Sequence, residues 1–317
     1  MITKPTVLVL GAGASMPYKF PSGHELRELI CQTIHGTEGW LGQVLVKHFP
    51  SISNLEIKHF GRIFMDSHIN SIDSFLARRQ EFAEIGKQTI ATILCQKEHP
   101  DEFTTVGSNA DHWYGAFWNR LVADIDNPDG LKTNNIKIIT FNYDRSLEYF
   151  LHTAIKNTFR LTDSAALELL THIPILHVYG QLGHFGTIPS DDTRPYERNL
   201  DSYSHTIAAN GIKIIPEARD DDIAFQTARE YLQWAEHICF LGFSFDELNV
   251  KRLGIANIMN NKHVNNSPHS LLASGFGMTD AEMEIARRQL GMNSNPRWHT
   301  QQVKCLEMLR NYAWVLR

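Results

Sequence analysis

The sequence contains little cysteine. Only four Cys residues occur among 317 residues, and no two of them are spaced as a Cys-x-x-Cys pair. That pair is the building unit of four-cysteine zinc sites and of thioredoxin-type redox motifs, so both are excluded. A disulfide framework is also not expected in a long chain with so few cysteines. We therefore expect a reducing, cytoplasmic location.

Long apolar runs and an excess of basic residues are absent as well. No stretch approaches the roughly 20 apolar residues that a membrane-spanning helix needs, so we expect no membrane association. The N-terminal segment MITKPTVLVLGAGAS passes from one Lys directly into a glycine-rich turn, unlike a secretory signal. Thirty Lys and Arg against 35 Asp and Glu give a formal charge of −5. That balance disfavours a broad nucleic-acid surface.

Short apolar runs rich in β-branched and aromatic residues are present, and they predict buried strands. Four of them span residues 6–10, 136–141, 173–179 and 238–243, and a shorter run predicts a further strand at 211–215. Helix-like stretches lie between them, at 23–35, 73–96, 144–156 and 220–236. The alternation predicts an α/β, Rossmann-like fold with a mostly parallel sheet.

Two regions depart from this alternation. Residues 40–127 contain no strand-like run and predict a mainly helical insertion, and residues 280–317 predict two C-terminal helices separated around 291–296. The polar segment 189–203 is interpreted either as a lid or as a surface connection. We predict one domain over residues 1–317.

The first predicted strand runs into a glycine-rich loop, Gly11-Ala12-Gly13-Ala14-Ser15. Backbone amides in such a loop can approach a pyrophosphate, and the alternative is a plain tight turn. The third glycine of a dinucleotide fingerprint is missing, because position 16 is Met. A simple dehydrogenase fingerprint is therefore not present.

Polar residues also follow the other predicted strands. The side chain of Asn142 can orient a water or a ribose hydroxyl, and the alternative for Asn142 and Asp144 is to cap the next helix. His177 is either a base or a structural residue. Ser244, after Gly242, can meet a phosphate or cap a helix. The 16 His residues show no ligand spacing such as His-x-x-x-His, so no metal site is predicted.

As a set, these motifs resemble the sirtuin-like family in its prokaryotic NAD-hydrolysing branch, over residues 7–249. The first loop, with Pro21-Ser22-Gly23, is similar to that family's first phosphate loop, and Gly242-Phe243-Ser244 resembles its Gly-Thr-Ser element. The segment Ser71-Ile72-Asp73-Ser74-Phe75-Leu76 is similar to one that recurs in the branch. Thr140-Phe141-Asn142-Tyr143-Asp144 resembles the Thr-Gln-Asn-x-Asp element, with Phe in place of Gln.

The resemblance implies roles for particular residues. Asn142 is then the catalytic asparagine and Asp144 the acid of the nicotinamide pocket. The implied NAD-binding residues also include Gly11, Ala12, Gly13, Ser15, Asp73, Gly242 and Ser244. The family's catalytic His precedes a Gly, but that position is Tyr179 here and the nearest histidine is His177. Strand alternation predicts that both project to one side, so the choice of base between them stays open.

The function implied by the resemblance is hydrolysis of NAD+ to nicotinamide and ADP-ribose. NAD+ is then a substrate, and its depletion serves antiphage defence once the enzyme is activated. The alternatives are a non-catalytic NAD or ADP-ribose sensor and, because no cysteine pairs build a zinc ribbon, less readily a protein deacylase. Control by self-assembly into a homo-oligomer or by a separate partner is expected. Analogy with the family suggests a HerA-type ATPase.

Overall fold

The structure is a computed structural model that describes residues 1–34, 39–103, 111–198, 201–215, 217, 222–267, 269–291 and 298–317. Its centre is a parallel sheet of six strands in the order β3-β2-β1-β6-β7-β8. A separate pair of two-residue strands, β4 and β5, lies outside it. In chain order the strands are β1 (Thr6–Leu10), β2 (Ile136–Thr140), β3 (Ile175–His177), β4 (His184–Phe185), β5 (Thr193–Arg194), β6 (His237–Leu241), β7 (Ser270–Ser274) and β8 (Trp298–Gln301).

Strand β1 occupies the middle of the sheet. Leu8 pairs with Ile138 of β2 on one side and with Cys239 of β6 on the other. Every residue of β1 is buried, so both faces of the sheet are covered at this strand. A strand in this position needs apolar side chains on both faces, which explains the continuous apolar run in the sequence. The strand order reverses beside β1. In open α/β sheets such a reversal leaves a ligand crevice at the carboxyl ends of the strands.

The described chain between β1 and β2 forms helices and 3-10 turns, without a strand. Its helices are α1 (Gly23–Thr33), α2 (Trp40–His48), α3 (Asn54–Asp66), α4 (Ile72–Arg78), α5 (Ala83–Cys95) and α6 (Tyr114–Leu121). Capping boxes fix the starts of α1 and α3, where Ser22 pairs with Glu25 and Ser53 with Glu56. Ten of the 13 residues of α5 are buried, so this helix is the core of the helical region.

The remaining helices connect and flank the later strands. They are α7 (Ser146–Phe159), α8 (Asp163–Leu170), α9 (Ser202–Asn210), α10 (Ile223–Trp234), α11 (Glu247–Leu253), α12 (Ile255–Val264), α13 (Asp280–Gln289) and α14 (Cys305–Asn311). None of the helices in the described ranges is at once long enough and apolar enough to cross a membrane.

A fully buried cluster of charges joins the helical region to the sheet. Glu98, beyond the end of α5, pairs with Arg145 at 2.7 Å and with Arg194 at 2.5 Å, and all three side chains are completely buried. The Arg145 guanidinium also donates to backbone carbonyls, including that of Arg194 at 2.7 Å. One carboxylate between two guanidinium groups therefore holds the start of α7 against β5 and the end of the helical region.

The predicted α/β, Rossmann-like architecture is confirmed, and several element predictions are corrected. The predicted strand at 211–215 is wrong, because only an isolated antiparallel bridge between Gly180 and Ile212 forms there. The predicted helix 73–96 is divided into α4 and α5 by a break at Arg79, whose backbone leaves the helical region at φ −125° and ψ 66°. Strands β7 and β8 were not predicted, and β8 lies between the two C-terminal helices. Residues 292–297, in the predicted separation, lie outside the described residues.

Candidate functional site

A cavity of about 660 Å³ opens at the carboxyl ends of β1, β6 and β7. Its walls include Ala12 and Gly13 after β1, Gly242 and Ser244 after β6, and Ser22 at the start of α1. These are four of the predicted NAD-binding residues together with the cap of the first helix. The strand order alone places a ligand crevice at this point, and the cavity occupies it.

The two glycine loops that line this cavity contact each other directly. The N–H of Gly13 donates to the carbonyl of Gly242 at 2.9 Å, and Gly242 has a φ of +58°. A Cβ atom on Gly11 would lie 2.6 Å from the Gly242 oxygen, and one on Gly242 would lie 2.1 Å from the Ala14 nitrogen. Close approach of the loops therefore requires glycine at these positions, independently of any ligand.

Because Gly13 donates to Gly242, its amide is not available to a phosphate. In the described part of the chain, no hydrogen bond has the backbone N–H of Phe243, Ser244 or Phe245 as its donor. These amides follow β6 beside the cavity, and the exposed Ser244 hydroxyl lies among them. The loop after β6 therefore offers more free donors to an anion than the glycine loop after β1.

The far side of the cavity is largely apolar. Phe276, Met278 and Ile285 line it, and Phe276 is 66% exposed at the rim. The Lys304 ammonium lies 4.9 Å from the centroid of the Phe276 ring and 2.5 Å from Asp111. The cavity thus combines backbone donors on one side with an aromatic and aliphatic surface on the other, which suits a ligand with a phosphate and a flat base.

Asn142 lies directly behind the glycine loop. Its side-chain amide donates to the carbonyl oxygen of Gly11 and to the Oγ atom of Ser15, both at 3.0 Å. It does not cap α7. Asp144 takes that place instead, because its carboxylate accepts from the N–H of Ser146 at 3.1 Å and from the Ser146 hydroxyl. Of these two residues, only Asp144 therefore bonds to the first residue of α7, from a position just before the N-cap Arg145.

His177 joins the same cluster through both ring nitrogens. Its Nδ1 atom lies 2.8 Å from the carbonyl oxygen of Asn142, and its Nε2 atom lies 2.5 Å from Oε1 of Glu148. Burial acts to lower the pKa of His177, but the charge and hydrogen bond of Glu148 outweigh it, and the pKa is raised above its usual value. In this arrangement both ring nitrogens donate, as in an imidazolium, so the ring holds its proton firmly.

The polar cluster encloses a void of about 10 Å³, lined among others by Ser15, Asn142, Asp144, Glu148 and His177. That volume is on the order of the space that one water molecule requires. Burial raises the pKa of Asp144, against the hydrogen bonds from Ser146 and Ser15 that favour its charged form. The cluster is therefore a water-sized polar pocket with two carboxyl groups and one histidine.

Tyr179 does not join this cluster, so the expectation that it shares a face with His177 is wrong. Strand β3 ends at His177, and the chain turns at once, with the N–H of Gly180 donating to the His177 carbonyl at 3.2 Å. The Tyr179 hydroxyl instead donates to Asn249 at 2.6 Å and accepts from Arg252 at 2.8 Å. Burial raises the pKa of Tyr179 to about 12, although Arg252 acts to lower it.

Asp73 also lies apart from the cavity walls. Its carboxylate accepts from the Tyr143 hydroxyl at 2.7 Å, and that hydroxyl also lies 3.2 Å from the Lys213 carbonyl. Burial raises the pKa of Asp73, against the lowering effect of the Tyr143 hydrogen bond. The structure therefore divides the predicted residues into three groups. Ala12, Gly13, Gly242 and Ser244 line the cavity beside Gly11; Ser15, Asn142, Asp144 and His177 form the buried cluster; Asp73 and Tyr179 stand separately.

Sequence reasoning missed Glu148, which belongs to the buried cluster. It lies in the first turn of α7, four residues after Asp144, which itself precedes the helix. A second carboxylate near Asp144 is visible in the sequence, but its contact with His177 is set by the packing of α7 against β3. Among the described residues, no group of three or more His, Cys, Asp or Glu side chains is arranged to hold a metal ion.

No protein-family model matches the chain, and no curated protein matches it.

Proposed function

We propose that the chain is an NAD+ glycohydrolase that converts NAD+ and water to nicotinamide and ADP-ribose. The 660 Å³ cavity suits the ADP part of the substrate, because backbone amides after β6 that donate to no other described group are available to a phosphate and Phe276 offers a surface for the base. The nicotinamide ribose would extend past the glycine loop after β1 toward Asn142. This proposal joins the cavity and the buried cluster into one site.

The observation that carries the proposal is the attachment of Asn142 to the glycine loop. One amide group bonds to both Gly11 and Ser15, and Ala12 and Gly13, between those two residues, line the cavity. Movement of this loop around a bound nucleotide therefore acts directly on the Asn142 side chain. An amide released from these bonds can orient a ribose hydroxyl and a water, and such orientation is worth several kcal/mol of barrier.

The proposed reaction needs little from the protein beyond orientation. The bond between C1′ and the nicotinamide nitrogen breaks, and its electron pair stays on nicotinamide, which leaves as a neutral molecule. Water forms the new bond to C1′ and loses one proton. Because the leaving group departs from a cationic ring, no general acid is required, unlike in ordinary glycoside hydrolysis. The water-sized pocket beside Asn142 supports this role for the cluster.

Of the two candidate bases, His177 is favoured by its position and Tyr179 is disfavoured. His177 bonds to the Asn142 backbone, whereas the Tyr179 hydroxyl bonds to Asn249 and Arg252. A pKa raised to about 12 also keeps the Tyr179 hydroxyl protonated at neutral pH, so almost none of it is in the form that accepts a proton. For His177 to accept a proton, its contact with Glu148 must first change.

The test is the release of nicotinamide from NAD+ by the purified chain, alone and together with the protein encoded beside it. Asn142→Ala should reduce turnover by about 10²-fold or more if the amide orients the reacting groups. Asn135→Ala is the matched control, because Asn135 lies just before the opposite end of β2 and, among the described residues, its side-chain amide donates only to the exposed Thr3 carbonyl, at 2.7 Å. Absence of turnover in both preparations, or equal loss in both variants, would reject the proposal.

A non-catalytic NAD or ADP-ribose sensor is the second candidate. It is favoured by the hydrogen bonds that occupy the Asn142 amide and both His177 nitrogens, since a sensor needs no free catalytic group. Calorimetry that shows NAD+ binding without release of nicotinamide would support it. A protein deacylase is least favoured, because the chain has no cysteine pairs for a zinc ribbon.

The biological setting follows from the same proposal. An NAD+-depleting enzyme in the cytoplasm must be held inactive until a signal arrives, which is consistent with antiphage defence. We propose that homo-oligomer formation or a separate partner, such as a HerA-type ATPase, supplies that signal. Comparison of oligomeric state with NAD+ turnover in the same samples tests this regulation.

A further inference from the structure

A groove of about 680 Å³ lies at the free edge of β3. Helix α8 contributes Leu167 and Leu170, α10 contributes Tyr231, and the segment after β4 contributes the exposed Ile188. Residues 173–176, which lead into and begin the edge strand, line it as well. In the described part of the chain, no residue lines both this groove and the nucleotide cavity.

Strand β3 presents unpaired backbone groups at this edge. The carbonyl of Pro174 accepts from β2 at 2.8 Å, and the N–H of Val178 donates to β2 at 3.1 Å. Residues of one parity in a parallel strand direct their backbone groups to the same neighbour. Ile175 and His177 are the alternate residues, so their N–H groups point away from β2, to an edge where no strand of the described ranges pairs with β3. Such an edge is a template for an added strand.

The groove also contains one buried carboxylate. Glu148 lines it, and no other Asp or Glu and no Lys or Arg is among its described lining residues. The side chain is 10% exposed, and its Oε1 atom is bound to His177. Within the described ranges, no hydrogen bond reaches the Oε2 atom. Glu148 thus has one oxygen available to a donor that enters from the groove.

We propose that this groove binds an extended segment of a partner protein, which adds as a strand beside β3 and places a Lys or Arg side chain on Glu148. The N–H and carbonyl of Ile175 and the N–H of His177 supply strand pairing, which is independent of the partner's sequence, whereas the His177 carbonyl already accepts from Gly180. The apolar groups from α8 and Ile188 accept alternate side chains of that segment. The carboxylate selects a basic residue at one position. The proposal goes beyond NAD+ cleavage and does not depend on it.

A cation bound at Glu148 would change the protonation of His177. The titratable groups that face His177 are Glu148 at 2.5 Å and, farther away, Asp144. A cation on the free oxygen of Glu148 weakens the hold of that carboxylate on the His177 proton. The ring resonances of His177 therefore report occupation of the groove even if the chain has no enzymatic activity.

The test begins with a phage-displayed library of random decapeptides selected on the full chain. We expect the recovered peptides to share one Lys or Arg flanked by alternating apolar residues. Synthetic copies should bind the wild-type chain at least tenfold more tightly than Glu148→Gln in fluorescence anisotropy. Replacing the basic residue by norleucine in the peptide should have a similar effect and involves no change in the protein.

Strand addition is tested separately with N-methylated peptides. Methyl groups on alternate amides of one register should abolish binding, because those N–H groups pair with β3, whereas the other register should bind normally. The His177 ring signals should shift on titration with the active peptide. Recovery of peptides without a basic residue, equal binding to Glu148→Gln, or equal binding of both methylated registers would overturn the proposal.

Discussion

The Nε2 atom of His177 lies 2.5 Å from Oε1 of Glu148, and the side chains are only 5% and 10% exposed. This buried pair lies behind the glycine loop, and its histidine is one of the two candidate bases, beside Asn142. A histidine that shares its proton with a carboxylate is a poor base until the pair is disturbed. The pair is thus a point at which the activity of the proposed enzyme can be held off.

Glu148→Gln should lower the pKa of His177. The glutamine keeps a hydrogen bond but removes the charge, so the lowering effect of burial prevails. In the wild type the folded-state pKa lies above the unfolded value of about 6.5. The pair therefore stabilises the fold at low pH, and this contribution is lost as the pH rises through the folded-state pKa.

NMR titration of the His177 ring in both proteins measures this effect. Glu28→Gln is the control, because it changes the exposed His24–Glu28 pair, whose atoms are 3.3 Å apart. An unaltered His177 pKa in Glu148→Gln would contradict the assigned ion pair.

Gly242→Ala should separate the two glycine loops and destabilise the fold. The added Cβ meets the Ala14 nitrogen at 2.1 Å, in addition to the strain of a φ of +58°. Gly277→Ala is the matched control, since its φ is +81° but its Cβ meets nothing within 4 Å. We expect a loss of roughly 1–2 kcal/mol for Gly277→Ala from strain. The loss for Gly242→Ala should exceed it by roughly 1–3 kcal/mol.

Urea denaturation of both glycine variants, followed by nucleotide-binding measurements on the folded fractions, tests the loop contact. Similar stabilities for the two variants would show that the contact between the loops does not contribute to the stability of the fold.

Glu98→Gln should be among the most destabilising single substitutions in the chain. It removes the carboxylate that Arg145 and Arg194 share, and both guanidinium groups are fully buried. Loss of one partner from a buried ion pair costs about 3–5 kcal/mol. Glu81→Gln, at the exposed Arg79–Glu81 pair, should cost far less, because solvent screens that pair. Thermal and chemical unfolding of both variants measures the loss in the free energy of unfolding. Equal losses in the two variants would show that the buried cluster does not stabilise the fold more than the exposed pair does.

His205 should make the fold less stable in mild acid. Its ring, on α9, stacks on the ring of His48, on α2, with the two ring centroids 4.3 Å apart. Burial lowers the pKa of His205 to about 4. Because the folded-state pKa is below the unfolded value of about 6.5, the neutral ring is fully compatible with the fold above pH 6.5. Stability should then fall by roughly 1.4 kcal/mol per pH unit as the pH decreases from 6.5 toward 4.

His205→Phe keeps an aromatic ring and removes this titration, so its stability should vary less between pH 7 and pH 5 than that of the wild type. His24→Phe, at an exposed position, should not change the pH dependence. Parallel stability curves for the wild type and His205→Phe would show that the His205 proton is not linked to folding.

The sequence predicted those strands that consist of β-branched and aromatic residues buried on both faces. Strands β1, β2 and β6 agree with the predicted runs within two residues at each end. Strand β7, Ser-Leu-Leu-Ala-Ser, and strand β8, Trp-His-Thr-Gln, have weaker β propensity and no long apolar run. These segments form strands because they pair with β6 and with each other. Such pairing between distant segments is not visible in the local order of apolar and polar residues.

The part of the candidate site that lies at the carboxyl ends of neighbouring parallel strands was predictable, because these strand ends meet at one edge of the sheet. Asn142 follows β2 and His177 ends the neighbouring β3; the structure brings Asn142 to Ser15 and the glycine loop, and His177 to the backbone of Asn142. Tyr179 was misplaced because the turn at Gly180 ends the alternation, and Glu148 was overlooked because it lies within a helix. Side-chain partners across the sheet depend on the packing of α7, which the sequence does not display.

The contact between the loop after β1 and the loop after β6 has a consequence for folding. Leu10 pairs with Leu241, so the cavity is completed by segments that leave the ribosome far apart in time. Contacts between such distant segments form slowly, because a long loop must close before they are gained. A nascent chain that ends before β6 lacks one wall of the cavity. Under the proposed function, nucleotide binding is therefore acquired only after β6 has joined the sheet.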